Sequence, residues 1–541
     1  MPFLSLTGTR SKILMPGLAA VLFLAGCRDS PSSLDRTATL FAPCLEWRLV
    51  NESCSGNPYD LTARVTFTHD SSAESRVTEM FYDGNGIWKF RFTGVRTGEW
   101  RFRTESDDPD LDGFTGRILV RENPDPTVTG FLGHRGNRYA VQSGPGGEVA
   151  PFRFAVFMDG HTVKTFIGDF QGEFIQKPYS SSPLFQLKDE AKRELFFTNL
   201  DENGFEIGFI HVGYPHIWTD GSTVTNGVNP RIETFELLET LIREAHARGF
   251  RLHIWMWGDD QRRATPRQFS RGGINGEVDR RLLRYLAARL GPLPGWSMGY
   301  GFDLHEWTNP EQVNEWAAAL HRHFGWDHLL SARGFYLEGG NNINAYDGFG
   351  RDVPLKTSRG GPRDYGEVLE DMRSDLSRPH LYEERHTYLR PGFDLDMDGT
   401  RRLIWWQMMA GGMGGWFGFY PDSPHPYPHP GQLRCARRFF NEQFRIDMEP
   451  ANELTDGLAL CTPDHSFYIF YRQEAKSIRM NLSAMPQPKP AKAVDAAAPY
   501  RAIDLGILNP GRRSWIAPYI SDWAVAVGDF ESHSNVEKEE E

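Results

Sequence analysis

The sequence predicts a multidomain protein: a central α/β domain of the (β/α)8 (TIM) barrel type, flanked by an N-terminal β-sandwich and a small C-terminal all-β domain. Three observations predict this fold class. The chain has 541 residues, too many for one ordinary domain but enough for a barrel of roughly 250 residues with attachments. Strand-like and helix-like segments alternate about eight times through its middle. Period-two patterns, typical of half-buried strands, occur on both sides of that region.

The first 26 residues have the pattern of an export signal. A positively charged start precedes an apolar run over residues 13–24, far short of the ~20 residues that cross a bilayer. The tetrad Leu-Ala-Gly-Cys at 24–27 resembles the lipobox of bacterial lipoproteins. The resemblance implies that Cys27 is acylated, that residues 27–37 form a tether, and that the protein is lipid-anchored in the bacterial cell envelope, on its periplasmic or cell-surface side.

Charge and cysteine content exclude two classes of partner. Removal of Arg10 and Lys12 with the signal would take the formal charge from −12 to −14, so nucleic acid, which needs a basic surface, is not an expected partner. No CxxC pattern occurs, and no zinc site is predicted. Cys44 and Cys54 lie close together in an exported region, so a disulfide and a pair of free thiols are both open.

The side-chain pattern over residues 38–125 predicts the β-sandwich. Trp88, Phe90 and Phe92 alternate with Lys89 and Arg91, the pattern of a strand with one buried face. Alternation returns after residue 448, so residues 448–530 predict the C-terminal β domain. Residues 531–541 read as a disordered acidic tail.

Residues 150–447 predict the barrel, entered through a hairpin that turns at Asp159-Gly160. The predicted strands are 166–170, 206–212, 251–257, 295–300, 329–333, 343–347, 379–383 and 415–419. Predicted helices lie between them, including 232–248 and one that begins at Asn309-Pro310, with asparagine as cap and proline at the first helical position. An open doubly wound sheet is the alternative, but no GxGxxG motif follows a strand, so a nucleotide-binding version has no support.

In a barrel the functional residues follow the carboxyl ends of the strands. Carboxylates, aromatic rings and arginines follow those ends. This mixture suits sugars, because aromatic rings stack on pyranose faces while charged groups bind hydroxyls. Packing is the alternative explanation for each residue taken singly. The predicted substrate-binding residues are Asp169, His211, Trp257, Arg333, Asp347, Glu384, Arg385 and Trp416.

Several motifs resemble one group of enzymes, the apiosidase-like and collagenase-like glycoside hydrolases. The motifs are Phe-Tyr-Asp-Gly at 81–84, Trp-Lys-Phe-Arg-Phe at 88–92, Gly-Glu-Trp at 98–100, Tyr-Glu-Glu-Arg at 382–385, Arg-Arg at 401–402 and Ala-Gly-Gly at 410–412. The resemblance spans nearly the whole mature chain. It implies a retaining mechanism in which Glu383, after strand seven, is the nucleophile and Glu384 or Arg385 orients it or the substrate.

The acid/base residue implied by this resemblance follows strand four, where the family has Asn-Glu. This chain instead reads Gly-Phe-Asp-Leu-His-Glu at 301–306. Asp303 is in register with the family glutamate, whereas Glu306 has the usual side chain three residues later. A retaining pair needs carboxyl groups ~5 to 5.5 Å apart, and a wider gap would imply inversion. The catalytic candidates are therefore Glu383 with Asp303 or Glu306.

No cofactor and no metal are expected. Asp394, Asp396 and Asp398 before Gly399 imitate a calcium loop, but its twelfth position is Trp405, so a solvated loop is favoured.

The sequence thus predicts an exported, lipid-anchored glycoside hydrolase acting on a plant or algal polysaccharide or oligosaccharide. The alternatives are a non-catalytic surface glycan-binding lipoprotein with a degenerate barrel, or a polysaccharide lyase with a Tyr, His or Lys base.

Overall fold

The computed structural model describes residues 34–158, 183–212, 228–258, 260, 265–332, 356–358, 364–388, 395–412, 414–419 and 426–530. For residues 183, 356–358, 383–387 and 419 it describes the backbone only. The lipobox-like tetrad with Cys27 and the acidic tail lie outside these ranges, so their predicted roles stay predictions. Cys44 and Cys54 are both free thiols.

The N-terminal strands form two sheets that pack face to face. Strands β1 to β8 are Arg36–Thr39, Leu45–Val50, Ala63–His69, Ser75–Glu79, Phe81–Tyr82, Ile87–Phe92, Gly98–Ser106 and Thr115–Arg121. The sheet orders are β1-β8-β7-β3-β4 and β2-β6-β5. Between the sheets, Trp47 and Phe90 stack with ring centroids 4.9 Å apart, and Phe102 meets them at 5.1 and 5.3 Å. The alternating aromatic residues therefore form the layer between two packed sheets.

A small antiparallel sheet of β9 (Leu132–Arg135), β10 (Arg138–Ser143) and β11 (Glu148–Pro151) comes next. Tyr139 stacks on Phe154 at 4.6 Å. Its hydroxyl donates to the carbonyl of His380, the first residue of a barrel strand, at 2.7 Å. This sheet therefore covers the amino-terminal end of the barrel, opposite the end where a site is expected.

Eight parallel strands follow one another in the order of a (β/α)8 barrel. They are β12 (Ala155–Met158), β13 (Ile207–His211), β14 (Arg251–Trp257), β15 (Trp296–Gly301), β16 (Leu330–Ser331), β17 (Lys356–Ser358), β18 (His380–Tyr388) and β19 (Gly414–Phe419). The first strand, β12, pairs with both β13 and the last strand, β19, so the sheet curls back on itself. Within the described residues the ladder is interrupted between β16 and β17, which flank residues 333–355.

Two strands differ from the sequence prediction. The place between β13 and β19 belongs to Ala155–Met158, so the prediction that residues 166–170 are the first barrel strand is wrong. All four residues of β12 are apolar and buried, as in a strand covered on both faces, and the adjacent Asp159-Gly160 made this run resemble a hairpin arm. The partner of β18 is Lys356–Ser358, whereas the predicted sixth strand, 343–347, lies outside the described residues.

Helices alternate with the barrel strands. They are α1 (Pro183–Gln186), α2 (Glu190–Glu202), α3 (Ile232–Ala247), α4 (Pro266–Phe269), α5 (Glu277–Leu290), α6 (Pro310–Phe324), α7 (Tyr365–Ser374), α8 (Met397–Met409) and α9 (Pro430–Gln443). The predicted start of α6 is confirmed: the Asn309 side chain accepts from the Gln312 N–H at 2.9 Å, and Pro310 is the first helical residue. None of the helices that the structure describes combines the length and apolarity needed to span a bilayer.

The C-terminal strands form one antiparallel sheet fastened to α8. Strands β20 to β25 are Glu449–Pro450, Leu458–Cys461, Tyr468–Asn481, Lys489–Asp495, Ile503–Leu508 and Arg512–Val527, in the order β20-β21-β22-β25-β23-β24. Asp522 of β25 is 2% exposed and binds Arg401 at 2.7 Å and Arg402 at 2.9 Å. The Arg-Arg pair at 401–402 therefore joins the barrel to the C-terminal sheet.

A buried ionic cluster joins the sandwich to the barrel. Arg91 of β6 binds Glu239 of α3 at 2.7 Å and donates to the carbonyl of Arg289 in α5 at 2.6 Å. The Arg289 side chain also binds Glu239, and it pairs with Asp83 at 3.0 Å. Both guanidinium groups lie over the ring of Phe81, at 4.7 and 5.0 Å. The motifs at 81–84 and 88–92 thus serve, at least in part, to dock the sandwich on the barrel.

Candidate active site at the carboxyl ends of the barrel strands

The described chain places four of the predicted site residues after or at the ends of neighbouring strands. His211 ends β13, Trp257 ends β14, and Asp303 and Glu306 follow β15. Trp416 is not at a strand end as expected, because it lies inside β19 in register with Val156. Carboxylates at this end of a parallel barrel are in position for chemistry.

Other predicted site residues are only partly described or lie outside the description. Glu383, Glu384 and Arg385 have a described backbone within β18. Asp169, Arg333 and Asp347 lie outside the described residues, and Asp169 does not follow the strand to which the sequence assigned it, because β12 ends at Met158. Their roles stay predictions.

Aromatic rings fill the interior of the barrel. Trp255 of β14 lies 4.6 Å from Trp416, which lies 4.7 Å from Phe209 of β13. Phe302, directly after β15, meets Trp255 edge-on at 4.0 Å and His211 at 5.5 Å. Trp255 and Trp416 are 0% and 2% exposed, so Trp416 is a packing residue of the barrel interior. Trp257 is likewise fully buried.

Hydrogen bonds hold Trp255 in place. Its indole N–H donates to Nε2 of His253 at 3.0 Å, and Nδ1 of His253 lies 2.8 Å from the hydroxyl of Ser297 in β15. Because Nε2 accepts a hydrogen bond, the proton of the neutral imidazole is on Nδ1. This N–H therefore donates a hydrogen bond to the hydroxyl of Ser297. This series of hydrogen bonds was not predicted from the sequence, although period-two spacing puts His253 and Trp255 on the same face of β14.

Two glycines of β15 make room for the tryptophans of β14. A Cβ atom at Gly299 would lie 2.3 Å from Nε1 of Trp255, and one at Gly301 would lie 3.0 Å from Cβ of Trp257. Neither distance suits a well-packed side chain. The small residues of strand four are therefore required by the large residues of strand three.

The two candidate acid/base residues share one short turn. Residues 304–306 form a single 3-10 turn in which the N–H of Glu306 donates to the carbonyl of Asp303 at 2.9 Å. Asp303 has φ 38° and ψ 55°, a left-handed conformation that is uncommon for a residue other than glycine and that clusters at functional sites. The indole of Trp307 donates to the carbonyl of Phe302 at 2.8 Å and so ties the turn to the end of β15.

The backbone of β18 is irregular where Glu383 occurs. Tyr382 pairs with Gly415, and the next pair is His386 with Phe417, so four residues of β18 advance against two of β19. Irregularities of this kind re-aim side chains and are frequent beside active sites. Tyr382 itself contacts the surrounding helices, and its hydroxyl donates to Asp371 of α7 at 2.5 Å.

A buried carboxyl group lies behind strand four. Asp279 of α5 is 0% exposed, and one of its oxygens accepts from the N–H of Asn275 at 2.9 Å. Burial raises the pKa of Asp279 to about 7. Tyr300 of β15, fully buried against Trp316, has a pKa well above its ordinary value because of burial and the nearby charge of Asp279. A group that titrates near neutral pH therefore lies next to the strand that carries Asp303.

The calcium-like segment has structural contacts in its described part. Asp396 caps α8 by accepting from the N–H of Gly399 at 2.7 Å, and Asp398 accepts from Arg401 at 2.6 Å. In the part of the chain that the structure describes, no group of three or more His, Cys, Asp or Glu side chains could hold a metal ion. Asp396 and Asp398 therefore stabilise helix α8, one as its N-cap and the other as a partner of Arg401.

Comparison of sequences identifies one family within the chain. Residues 43–107 match a domain of unknown function, DUF5060. This range includes the motifs at 81–84, 88–92 and 98–100, and it falls on the strands of the sandwich. A search of curated proteins found no match.

Comparison of structures finds glycoside hydrolases. A protein from Bacteroides vulgatus provisionally described as a glycoside hydrolase aligns with 91% of this chain and 99% of its own, at 13% identity and a TM-score of 0.63. A family 5 glycoside hydrolase from the same organism aligns with 74% of this chain and 93% of its own, at 14% identity and a TM-score of 0.50. A third structure, described as a glycoside hydrolase, covers 74% and 97% at 14% identity and a TM-score of 0.51. The chain therefore has a glycoside hydrolase-like fold around a TIM-like barrel.

Proposed function

We propose that this protein is a glycoside hydrolase that cleaves a plant or algal polysaccharide or oligosaccharide with retention of configuration. One observation carries the proposal: acidic residues follow strand four and occur within strand seven of a barrel that shares its fold with glycoside hydrolases. Hydrolysis of a glycosidic bond needs two carboxyl groups, one as acid/base and one as nucleophile. The strained turn after β15 and the irregular backbone of β18 support the same location.

In this proposal Glu383 is the nucleophile and Asp303 or Glu306 the acid/base. The acid protonates the leaving oxygen while the Glu383 carboxylate attacks the anomeric carbon, which forms a glycosyl-enzyme ester and breaks the glycosidic bond. The deprotonated acid/base then takes a proton from water, whose oxygen displaces the carboxylate. Glu384 or Arg385 orients the nucleophile or the substrate.

The remaining predicted residues contribute substrate contacts or support. Asp169, Arg333 and Asp347 are proposed to contact sugar at the strand ends, whereas His211 and Trp257, which are 2% and 0% exposed, are proposed to support those contacts from the packed interior. The buried Trp416 is proposed to act from below, by fixing the aromatic interior on which the strand-four turn rests.

The substitution Glu383→Ala tests the nucleophile. Turnover of the polysaccharide or aryl glycoside that the wild-type protein cleaves should fall by at least about three orders of magnitude, because no covalent intermediate can form. Reducing-end release measures the polysaccharide reaction, and the matched control is Glu474→Ala, an exposed carboxylate of the C-terminal sheet. Full activity of Glu383→Ala would remove the assignment.

Asp303→Asn and Glu306→Gln distinguish the two acid/base candidates. The variant that removes the acid/base should lose hydrolysis of substrates with poor leaving groups but still release an activated phenol, and added azide should restore turnover. The other variant should keep both reactions within about tenfold, since it removes only a neighbour on the same turn. Equal behaviour of the two variants would contradict a single acid/base on this turn.

Export and lipid anchoring are part of the same proposal. Cys27 follows the tetrad that resembles a lipobox, and acylation there would hold the enzyme at the membrane without a spanning helix. Cys27→Ser should move the protein from the membrane fraction to the soluble fraction of the cell. Unchanged fractionation, with no incorporation of labelled fatty acid into the wild-type protein, would refute the anchor.

A non-catalytic glycan-binding lipoprotein is the second candidate. The observation in its favour is Asp303, a shorter acid than the glutamate that the resemblance to the apiosidase-like and collagenase-like enzymes implies after strand four. A glycan-binding lipoprotein of this kind would bind glycans but release no product from any glycan tested.

A further inference from the structure

We propose that the C-terminal domain carries a second carbohydrate-binding site, a cleft beside Tyr500 and Tyr519 that holds a glycan chain while the barrel acts on it. The choice of carbohydrate rests on the proposed function. The site itself is argued from the geometry of the C-terminal sheet, and it is separate from the barrel strand ends.

The cleft exists because two strands diverge. Strand β23 pairs with β25 only from Trp523 to Val527, so the earlier part of β25, which pairs with β22, has no strand on that side. The space between this part of β25 and the connection from β23 to β24 has a volume of about 810 Å³, within the range of ligand sites. Its walls include Pro499, Tyr500, Arg501, Ile503, Pro518 and Tyr519.

The ring of Tyr519 is exposed but fixed. It is 50% exposed, its hydroxyl donates to Asp495 at 2.8 Å, and its ring lies 5.1 Å from that of Trp523. Asp495 is itself fixed, since it accepts from the hydroxyl of Ser521 at 2.7 Å. A ring held in this way loses little conformational entropy when a ligand stacks on it.

The ring of Tyr500 is also fixed by a hydrogen bond from its hydroxyl. Its hydroxyl donates to Glu442 of α9 at 2.8 Å, and the guanidinium of Arg438 lies 4.3 Å from its ring centroid. Arg438 covers one face of the Tyr500 ring, and the rest of that ring lines the cleft together with Tyr519. Stacking on flat apolar faces is how aromatic residues bind pyranose rings.

The charges beside the two rings favour a neutral ligand. Asp495 lies beside Tyr519, where Arg501 also acts on the phenol electrostatically. Glu442 is already paired with Arg438 and with Lys492, both at 2.9 Å. Acidic and basic groups thus accompany each ring, and a ligand with hydroxyl groups, a flat apolar face and no charge fits both.

The position of the cleft suits a chain that also enters the barrel. The loop before Tyr500 is tied to α9 by Gln432, which donates to the carbonyl of Ala497 at 2.9 Å. Asp522, three residues after Tyr519, binds Arg402 of α8. Gln432 and Arg402 are in the first halves of helices that follow barrel strands, whereas Glu442, which binds Tyr500, is in the last turn of α9, so the cleft extends along α9 from the carboxyl end of the barrel toward its amino end.

Tyr519→Ala tests the cleft, with Ile516→Ala as matched control. Ile516 is 72% exposed on the same strand but does not line the cleft. Both are made in the full chain carrying Glu383→Ala, to prevent digestion, and retention is measured in native gels containing galactomannan, arabinoxylan or xyloglucan. Tyr519→Ala should weaken retention by roughly tenfold, as for a stacked aromatic contact. Ile516→Ala should match the parent, and Tyr519→Phe, which keeps the ring but loses the bond to Asp495, should fall between the parent and Tyr519→Ala.

Two outcomes would overturn the proposal: no retention of the parent protein in any of the three gels, or equal retention of Tyr519→Ala and Ile516→Ala. Turnover of a small aryl glycoside by Tyr519→Ala in the otherwise wild-type chain separates this site from the proposed function. Normal turnover with weakened retention supports both. Weakened retention from a protein that hydrolyses nothing supports the cleft and removes the enzyme.

Discussion

At the scale of single residues, the barrel interior depends on pairs of large and small side chains. Trp255 occupies the space that Gly299 leaves, and its ring meets Phe302 at the base of the turn that carries Asp303. The turn that carries Asp303 is held rigidly by the side chains beneath it, because a close-packed interior allows few alternative rotamers. The position of the strand-four turn is therefore set by residues that touch no substrate.

Asp279 gives this region a pH-dependent stability. Its folded-state pKa is about 7, whereas an unfolded aspartate titrates near 3.9. A raised pKa means that the stabilising contribution is complete below about pH 4 and is lost as pH rises towards 7. Relative to Asp279→Asn, the wild-type protein should lose up to about 4 kcal/mol of unfolding free energy across that interval. Urea denaturation of both proteins at pH 4.5, 6 and 8 measures the difference, and parallel pH profiles would contradict it.

At the scale of elements, α8 and β25 depend on one carboxylate. Burial alone would raise the pKa of Asp522, but hydrogen bonds from Arg402 and Arg401 outweigh it and hold that pKa below its usual value. Its contribution to stability is therefore present above the unfolded pKa and lost as pH falls through the folded one.

Asp522→Ala should destabilise the protein by about 3 to 5 kcal/mol, because it removes the buried carboxylate that Arg401 and Arg402 share and leaves each arginine with an exposed partner. Thermal unfolding measures the loss. The control is Glu474→Ala, which removes a 75% exposed partner of the same Arg402 and should cost less than about 1 kcal/mol. Similar costs for the two variants would show that burial of Asp522 does not matter.

Elements with strong periodicity could be predicted from sequence, and short apolar ones could not. The extent of α3, predicted over 232–248, and the Asn-Pro start of α6 follow from side-chain spacing and capping. Strand β12 has only four apolar residues, so no periodicity distinguished it from a hairpin arm. The 383–385 irregularity and the left-handed Asp303 depend on how neighbouring strands pair, which local sequence does not reveal.

At the scale of the whole molecule, the barrel is held between two β domains by buried charge. Arg91, Arg289 and Glu239 fasten the sandwich, and Asp522 with two arginines fastens the C-terminal sheet. The sequence motifs near 81–92 and 401–402 thus contribute interdomain contacts.

The proposed mechanism requires a covalent bond between Glu383 and the sugar, and trapping of this intermediate tests it. The protein is incubated with the 2-deoxy-2-fluoro glycoside of the sugar it hydrolyses, and the labelled peptide is identified by mass spectrometry. One adduct is expected, on Glu383, and none in Glu383→Ala. An adduct on another residue, or an active enzyme that forms no adduct and releases product of inverted configuration, would contradict it.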